Sequence, residues 1–215
     1  MALTDYPIYF ILVFISIFVI INPLQATIIY ISLTAGMSQK NKQSIPFRTT
    51  SVAFVIAVLF AVSGDLILRF FGITVDSLRV AGGILLFLVA MDMLRGGEHR
   101  KVTENEIRDA NEREDISIFP LAMPLVTGPG VITTVVVQMG AAVTLTQKAL
   151  VMVALTFAFI VTYFVLRFSD YIDMALGVTG IMVVTRVQGL ILGAIAVNFV
   201  ATGAWNIYVS MASAT

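Results

Sequence analysis

The sequence predicts an all-α membrane protein of six transmembrane helices, arranged as two inverted-topology repeats of three, with helices 1 and 4 interrupted. Three observations lead there. Apolar residues come in long unbroken blocks, and about 20 of them are enough to cross a bilayer core. Of the 215 residues, 59% are hydrophobic and only 12% charged, about half the charge of an ordinary soluble domain. Similar motifs also recur in the two halves at nearly one offset. The blocks do not alternate in polarity, which sets an outer-membrane barrel aside. Mean hydropathy is +0.97. Net charge is zero, so neither a nucleic-acid partner nor an acidic substrate is suggested. There is no cysteine, hence no disulfide framework and no thiolate metal site.

The spans, in order, are Pro7–Leu33, Thr49–Phe71, Val75–Leu94, Ser117–Val143, Lys148–Phe168 and Ile181–Tyr208. The first has no Lys or Arg before Lys40 and no small-residue cleavage site after it, so it reads as a retained helix rather than a signal peptide. A polar stretch around Pro46 follows. Residues 1–95 form the first three-helix repeat, 96–116 a hydrophilic cytoplasmic linker of mixed charge, and 117–215 the second repeat. Trp205 and Tyr208 form an aromatic belt at the outer end of the last span. Orientation follows from the basic residues. With the N-terminus outside, nine fall on inside segments (Lys40, Lys42, Arg48, Arg95, Arg100, Lys101, Arg108, Arg113 and Arg167) and two, Arg69 and Lys148, fall outside. Both termini are therefore expected outside, in a multi-pass protein of the cell (inner) membrane.

The repeat rests on three matches. Asn22-Pro23 with Thr27 aligns with Gly128-Pro129 and Thr133 at an offset of 106. Ser63-Gly64-Asp65 with Gly72 aligns with Phe168-Ser169-Asp170 with Gly177 at 105, and Arg79-Val80-Ala81-Gly82 with Arg186-Val187-Gln188-Gly189 at 107. Three spans is an odd number, so the second copy enters from the opposite side. Such folds bind their substrate near mid-membrane, where helices are interrupted in corresponding positions. Asn22-Pro23 and Thr127-Gly128-Pro129-Gly130 are those interruptions. Proline stops the incoming helix and suits the first position of a new one, with Asn or Gly as its cap. Each break creates a half-helix N-terminus with free N–H groups and a positive dipole end, which suits a carboxylate. The carbonyl-ending half-helices before the breaks suit an ammonium group, so a small zwitterion satisfies both. The plainer alternative is a proline kink that only bends two continuous helices.

These residues are similar to those of a known family. Asn22-Pro23 in the first span, the Pro124–Gly130 run PLVTGPG and the Gly82–Phe87 run GGILLF resemble the MarC/SnatA family over essentially the whole chain. The resemblance implies a six-span transporter of small neutral amino acids such as glycine and alanine. Its coupling ion would be a proton, more loosely associated with the family, or sodium. Carried over by position, Asn22, Pro23, Thr127, Gly128, Pro129 and Gly130 become the substrate-binding candidates.

Gln25, Thr27 and Thr133 follow the breaks closely and either bond the substrate or glue helices together. Asp65 is the first candidate for a coupling proton and Asp92 the second, because ionisable groups within spans are costly. The alternatives are a pair between Asp65 and Arg69 one turn on and an interfacial place for Asp92. Asp170 and Asp173 fall at the inner surface. Arg79 and Arg186 either hold a carboxylate or a neighbouring helix end. Asn198 and Gln188 read as helix glue, and Gly82-Gly83 and Gly189-x-x-x-Gly193 as close-packing faces. The single histidine, His99, lies in the linker, so His-based catalysis or metal binding within the membrane is not expected, nor any cofactor. The expected function is a secondary transporter of small neutral amino acids, not an enzyme. The alternative is a non-transporting membrane scaffold or assembly factor.

Overall fold

The computed structural model describes residues 5–34, 37–95 and 117–213, and all of its regular structure is helical. The 96–116 linker lies outside the described residues. Helix α1 spans Tyr6–Ile21 and α2 Pro23–Leu33; α3 spans Gln39–Phe70 and α4 Val75–Leu94. A π-helical segment, Ser117–Val126, precedes α5 (Pro129–Ala141), α6 (Leu145–Arg167) and α7 (Ser169–Ala212).

Among the described residues, five stretches are long and apolar enough to cross a membrane: Tyr6–Leu33, Asn41–Phe70, Val75–Leu94, Leu145–Arg167 and Thr179–Ala212. The remaining expected span, the fourth, Ser117–Val143, is not one helix. It divides into the 10-residue π segment and the 13-residue α5. The reason lies in its prolines. Pro120, Pro124 and Pro129 remove backbone donors in close succession, so the i→i−4 ladder cannot be kept. The backbone widens instead, and Thr127 donates its N–H to Ala122 O, five residues back, at 2.9 Å. Other boundaries move less. α3 begins at Gln39 and continues through Pro46. α6 begins three residues early because Thr144 and Gln147 form a capping box. The last span begins at Thr179, two residues before the expected Ile181, and a helical stretch from Ser169 precedes it across the Gly177 kink.

The packing follows small residues. α4 and α7 form the most extensive helix pair. A Cβ on Gly83 would lie 2.8 Å from Ala196 O, and one on Gly189 would lie 2.8 Å from Met93 Cβ. Backbones that close need glycine, which brings the two helices together where hydrophobic driving force is weak. α1 lies against α6, and α3 against the π segment, α5 and α6. Ile17, Ile21, Leu86, Leu121, Val135, Leu155 and Leu192 are fully buried between them. The outer surface is as apolar as the core: Leu12, Val55, Leu59, Val62, Leu66, Leu88 and Val153 are all exposed. A continuous greasy exterior on every long helix suits lipid, not water.

The sequence matches coincide with matched backbone events. Pro23 and Pro129 each stand at the start of a helix. The next helices begin at Gln39 and Leu145, again 106 apart. Gly72 and Gly177 both adopt left-handed φ, +67° and +60°. At that angle a side chain would be strained, so glycine is required. Gly72 follows the end of α3, whereas Gly177, non-helical at φ 60° and ψ 175°, divides α7 into two helical stretches at a kink.

Candidate functional site

The first break is made by Asn22. Its backbone is left-handed (φ 50°, ψ 64°), the one non-glycine residue with positive φ among the described residues. Asparagine tolerates that region better than most side chains. Its N–H closes α1 by bonding Phe18 O at 3.1 Å, and its carbonyl starts α2 by accepting from Ala26 N–H at 3.2 Å. Asn22 Oδ1 accepts from Gln25 N–H at 3.3 Å, and Asn22 Nδ2 donates to Gln25 Oε1 at 2.7 Å. In an ordinary capping box the N3 side chain returns to the cap N–H. Here that N–H is already committed to α1, so Gln25 bonds the side-chain amide. Thr27, fully buried, donates to Pro23 O at 3.0 Å.

The second break is built differently. Gly128 is an extended cap without a side chain (φ −81°, ψ 178°), and Pro129 is the first residue of α5. The first bond back to this cap is Ile132 N–H to Gly128 O at 3.1 Å. The N–H groups of Gly130 and Val131 lie ahead of it, as expected of an uncapped helix start. Thr127 is fully buried and donates its hydroxyl to Ala53 O of α3 at 2.9 Å. One turn earlier on α3, Thr49 donates to the carbonyl of Ser117, the first residue of the π segment, at 3.1 Å. Thr133 packs on Gly82, where an added Cβ would lie 1.9 Å from Thr133 Cγ2.

The two breaks come together. A Cβ on Gly130 would lie 2.9 Å from Leu86 Cδ2 and 3.3 Å from Ile20 Cγ2. The donor end of α5 therefore rests on the last turn of α1, whose final carbonyls (Val19, Ile20 and Ile21) face the end of that helix. The start of α5 and the last turn of α1 are thus neighbours, in contact at Gly130 and the Ile20 side chain. Asn22 and Gln25 stand at the same place on α1–α2. Pro129 is exposed and Gly128 half-buried, so this junction is not sealed by packing.

The acidic candidates lie elsewhere. Asp65 is on the outer face of α3, 3.0 Å from Arg69, with side-chain exposures of 63% and 77%. Asp92 is exposed in the last turn of α4. Arg79 bonds Asp76 at 3.0 Å, and Asn206 donates to the same oxygen at 3.0 Å, tying α4 to α7. Asn198 and Arg186 are exposed. A cleft of about 320 Å³ between α3 and α6 is lined by Phe47, Phe54, Phe159 and Tyr163. The Thr50 and Thr156 hydroxyls there already donate to their own helices, so it offers a polar ligand little.

Three buried polar atoms have no hydrogen-bond partner among the described residues: Thr134 Oγ1, Thr185 Oγ1 and Gln188 Oε1. Leaving such a group unpaired costs about 1–3 kcal/mol. Thr134 is four residues after Gly130, on the same face of α5. Thr185 and Gln188 share a face of α7 in the same way. The adjoining Gly189 packs on Ala90 and Met93, about 6–10 Å along α4 from the Leu86 level of the breaks. Sequence reasoning passed over Thr134 and took Gln188 for helix glue; a polar side chain amid apolar neighbours was the available signal.

Comparison with known proteins points to a family of integral membrane proteins. The family described as MarC family integral membrane protein matches residues 8–208. The chain is 41% identical over 195 residues to the UPF0056 membrane protein MJ1677 of Methanocaldococcus jannaschii, covering 91% of this chain and 95% of that one. It is 34% identical over 193 residues to YvbG of Bacillus subtilis (89% and 92%), and 34% over 208 residues to YhcE of Escherichia coli (95% and 95%), both UPF0056 membrane proteins. No solved structure matches the chain. A greasy all-helical bundle and likeness along nearly its whole length lead to one conclusion: this chain belongs to the MarC (UPF0056) family of integral membrane proteins.

Proposed function

We propose that the protein is a secondary transporter of small neutral amino acids, glycine and alanine foremost, with the zwitterion bound at the junction of the two breaks. One observation carries the reading: the uncapped donor end of α5 rests on the acceptor end of α1, at Gly130 and Ile20. The N–H groups of Gly130 and Val131 would take the carboxylate, and the carbonyls ending α1 the ammonium group. Gln25, Asn22, Thr127 and Thr133 complete the surroundings. The tight fit of Gly130 against Leu86 and Ile20 leaves little room for a side chain. In this reading the π segment and α5 together make the fourth crossing of an inverted repeat. Both termini face outside, and the coupling ion is a proton or sodium.

The test is flux into proteoliposomes. Labelled alanine and glycine should accumulate and compete, whereas lysine, glutamate and tryptophan should not inhibit. Imposing a pH gradient and then a sodium gradient assigns the coupling ion. No flux of any small neutral amino acid would defeat the proposal and favour a non-transporting scaffold.

A further inference from the structure

Lys42, in the first turn of α3, places its Nζ 2.6 Å from Asp170 Oδ1, in the first turn of α7. The pair joins the two halves of the chain. It is not a loose surface contact, since the Lys42 side chain is only 17% exposed, against 59% for Asp170. Tyr30, near the end of α2, holds the same lysine twice. Its hydroxyl donates to Lys42 O at 2.8 Å, and its ring centroid lies 6.0 Å from Nζ. The half-helix that leaves the first break is thus fastened at its far end to this ion pair.

The same two charges recur at the repeat offsets. Lys42 advanced by 106 residues is Lys148, and Asp170 set back by 105 is Asp65. Lys148 is in the first turn of α6 and Asp65 near the end of α3, at the opposite end of the bundle. There the pair is not made. Asp65 bonds Arg69 on its own helix at 3.0 Å, and Lys148 is exposed and forms no ion pair among the described residues. One end is joined by a lysine–aspartate pair, and its counterpart is open.

We infer that Lys42–Asp170 and Lys148–Asp65 are a pair of gates that close in alternation. In an inverted repeat, alternating access follows when the two halves exchange conformations around a fixed midplane site. The exchange opens Lys42–Asp170 and forms Lys148–Asp65, with Asp65 leaving Arg69. The structure is the state closed at the Lys42 end, which is cytoplasmic under the basic-residue assignment. This inference rests on the transport reading and its repeat.

The test uses the full chain in liposomes, with spin labels beside the gates so that the four charges stay intact. The chain has no cysteine, so Gln43→Cys with Tyr171→Cys reports one end and Leu66→Cys with Ala149→Cys the other. All four positions are exposed. Each pair should give two distance populations, and saturating alanine should move the two ends in opposite senses. Lys42→Asp should raise the population with the Lys42 end apart and the Lys148 end together by roughly threefold to tenfold. Lys42→Asp with Asp170→Lys should restore it. Unlabelled wild type is assayed for alanine flux in the same vesicles. If it carries no alanine, the transport reading fails, and the gate is judged by the Lys42→Asp shift alone. Distances that move together, or that stay fixed in both alanine and Lys42→Asp, overturn the alternation.

Discussion

Gly130→Ala is the sharpest perturbation of the junction. The added methyl would stand 2.9 Å from Leu86 Cδ2 and 3.3 Å from Ile20 Cγ2. Leu86 Cδ2 is the far end of a rotatable chain and can yield. Ile20 is branched at Cβ and stiff at χ1, so the start of α5 must draw away from α1 instead. Overpacking of this kind costs about 1–3 kcal/mol when nothing can move, and less when one neighbour relaxes. The N–H groups that follow the break shift with the backbone. Losing one charge-assisted bond from them costs about 1.5–3 kcal/mol, which is roughly one to two decades in affinity. Alanine binding to purified protein, by calorimetry, should weaken about 10-fold to 100-fold, while insertion and melting change little. Gly82→Ala is the control, because its methyl would lie 1.9 Å from Thr133 Cγ2 and should lower stability first. Binding that changes less than twofold in well-folded Gly130→Ala would refute the assignment of the carboxylate to this helix end.

The remaining predictions can be checked on the same preparations. Asn22→Ala forces a poor residue into left-handed backbone and removes the cap on Gln25, a loss of about 2–3 kcal/mol. Asn22→Gly keeps the angle and should cost less, so thermal unfolding should rank wild type above glycine above alanine. Gln188→Met replaces the unpartnered acceptor by an apolar isostere; a purely structural residue gains or holds stability, whereas a substrate-facing one also loses alanine flux, by about tenfold for one bond. Thr127→Val removes the hydroxyl bond to Ala53 O and should lower the melting temperature, an effect of about 1 kcal/mol. Single cysteines at Val143 and Gln43 should label from outside and inside respectively, and the reverse pattern would invert the orientation.

The breaks were legible because their chemistry is local. A proline behind an asparagine or glycine ends one helix and begins another whatever packs around it, and Gly72 and Gly177 share a backbone angle that needs glycine. The count of crossings was less legible. Hydropathy averages over Ser117–Val143 and does not register that Pro120, Pro124 and Pro129 deny the segment an α-helical ladder. Roles that depend on a partner were legible at best as alternatives. Thr127 is a substrate candidate by its place in the run, yet its hydroxyl is used on α3. Asp65 reads either as a coupling acid or as the partner of Arg69 one turn on, and it faces outward and takes Arg69. Which of two threonines, Thr133 or Thr134, packs on glycine and which keeps an unpaired hydroxyl depends on the neighbours of α5, not on the sequence around it.

The division between the π segment and α5 also bears on how the protein is made. A helix of 13 residues covers about 20 Å, well short of a hydrocarbon core about 30 Å thick. The π segment ahead of it is a poor free-standing inserter, with its proline-interrupted backbone exposed to lipid. Two hydroxyl bonds fix that segment to α3, from Thr49 to Ser117 O and from Thr127 to Ala53 O. Both need α3 to be in the bilayer already. Synthesis from the N-terminus supplies it first, so the early half of the chain serves as the template on which the later half is inserted, and a ribosome-bound chain without α3 should leave the π segment and α5 outside the membrane.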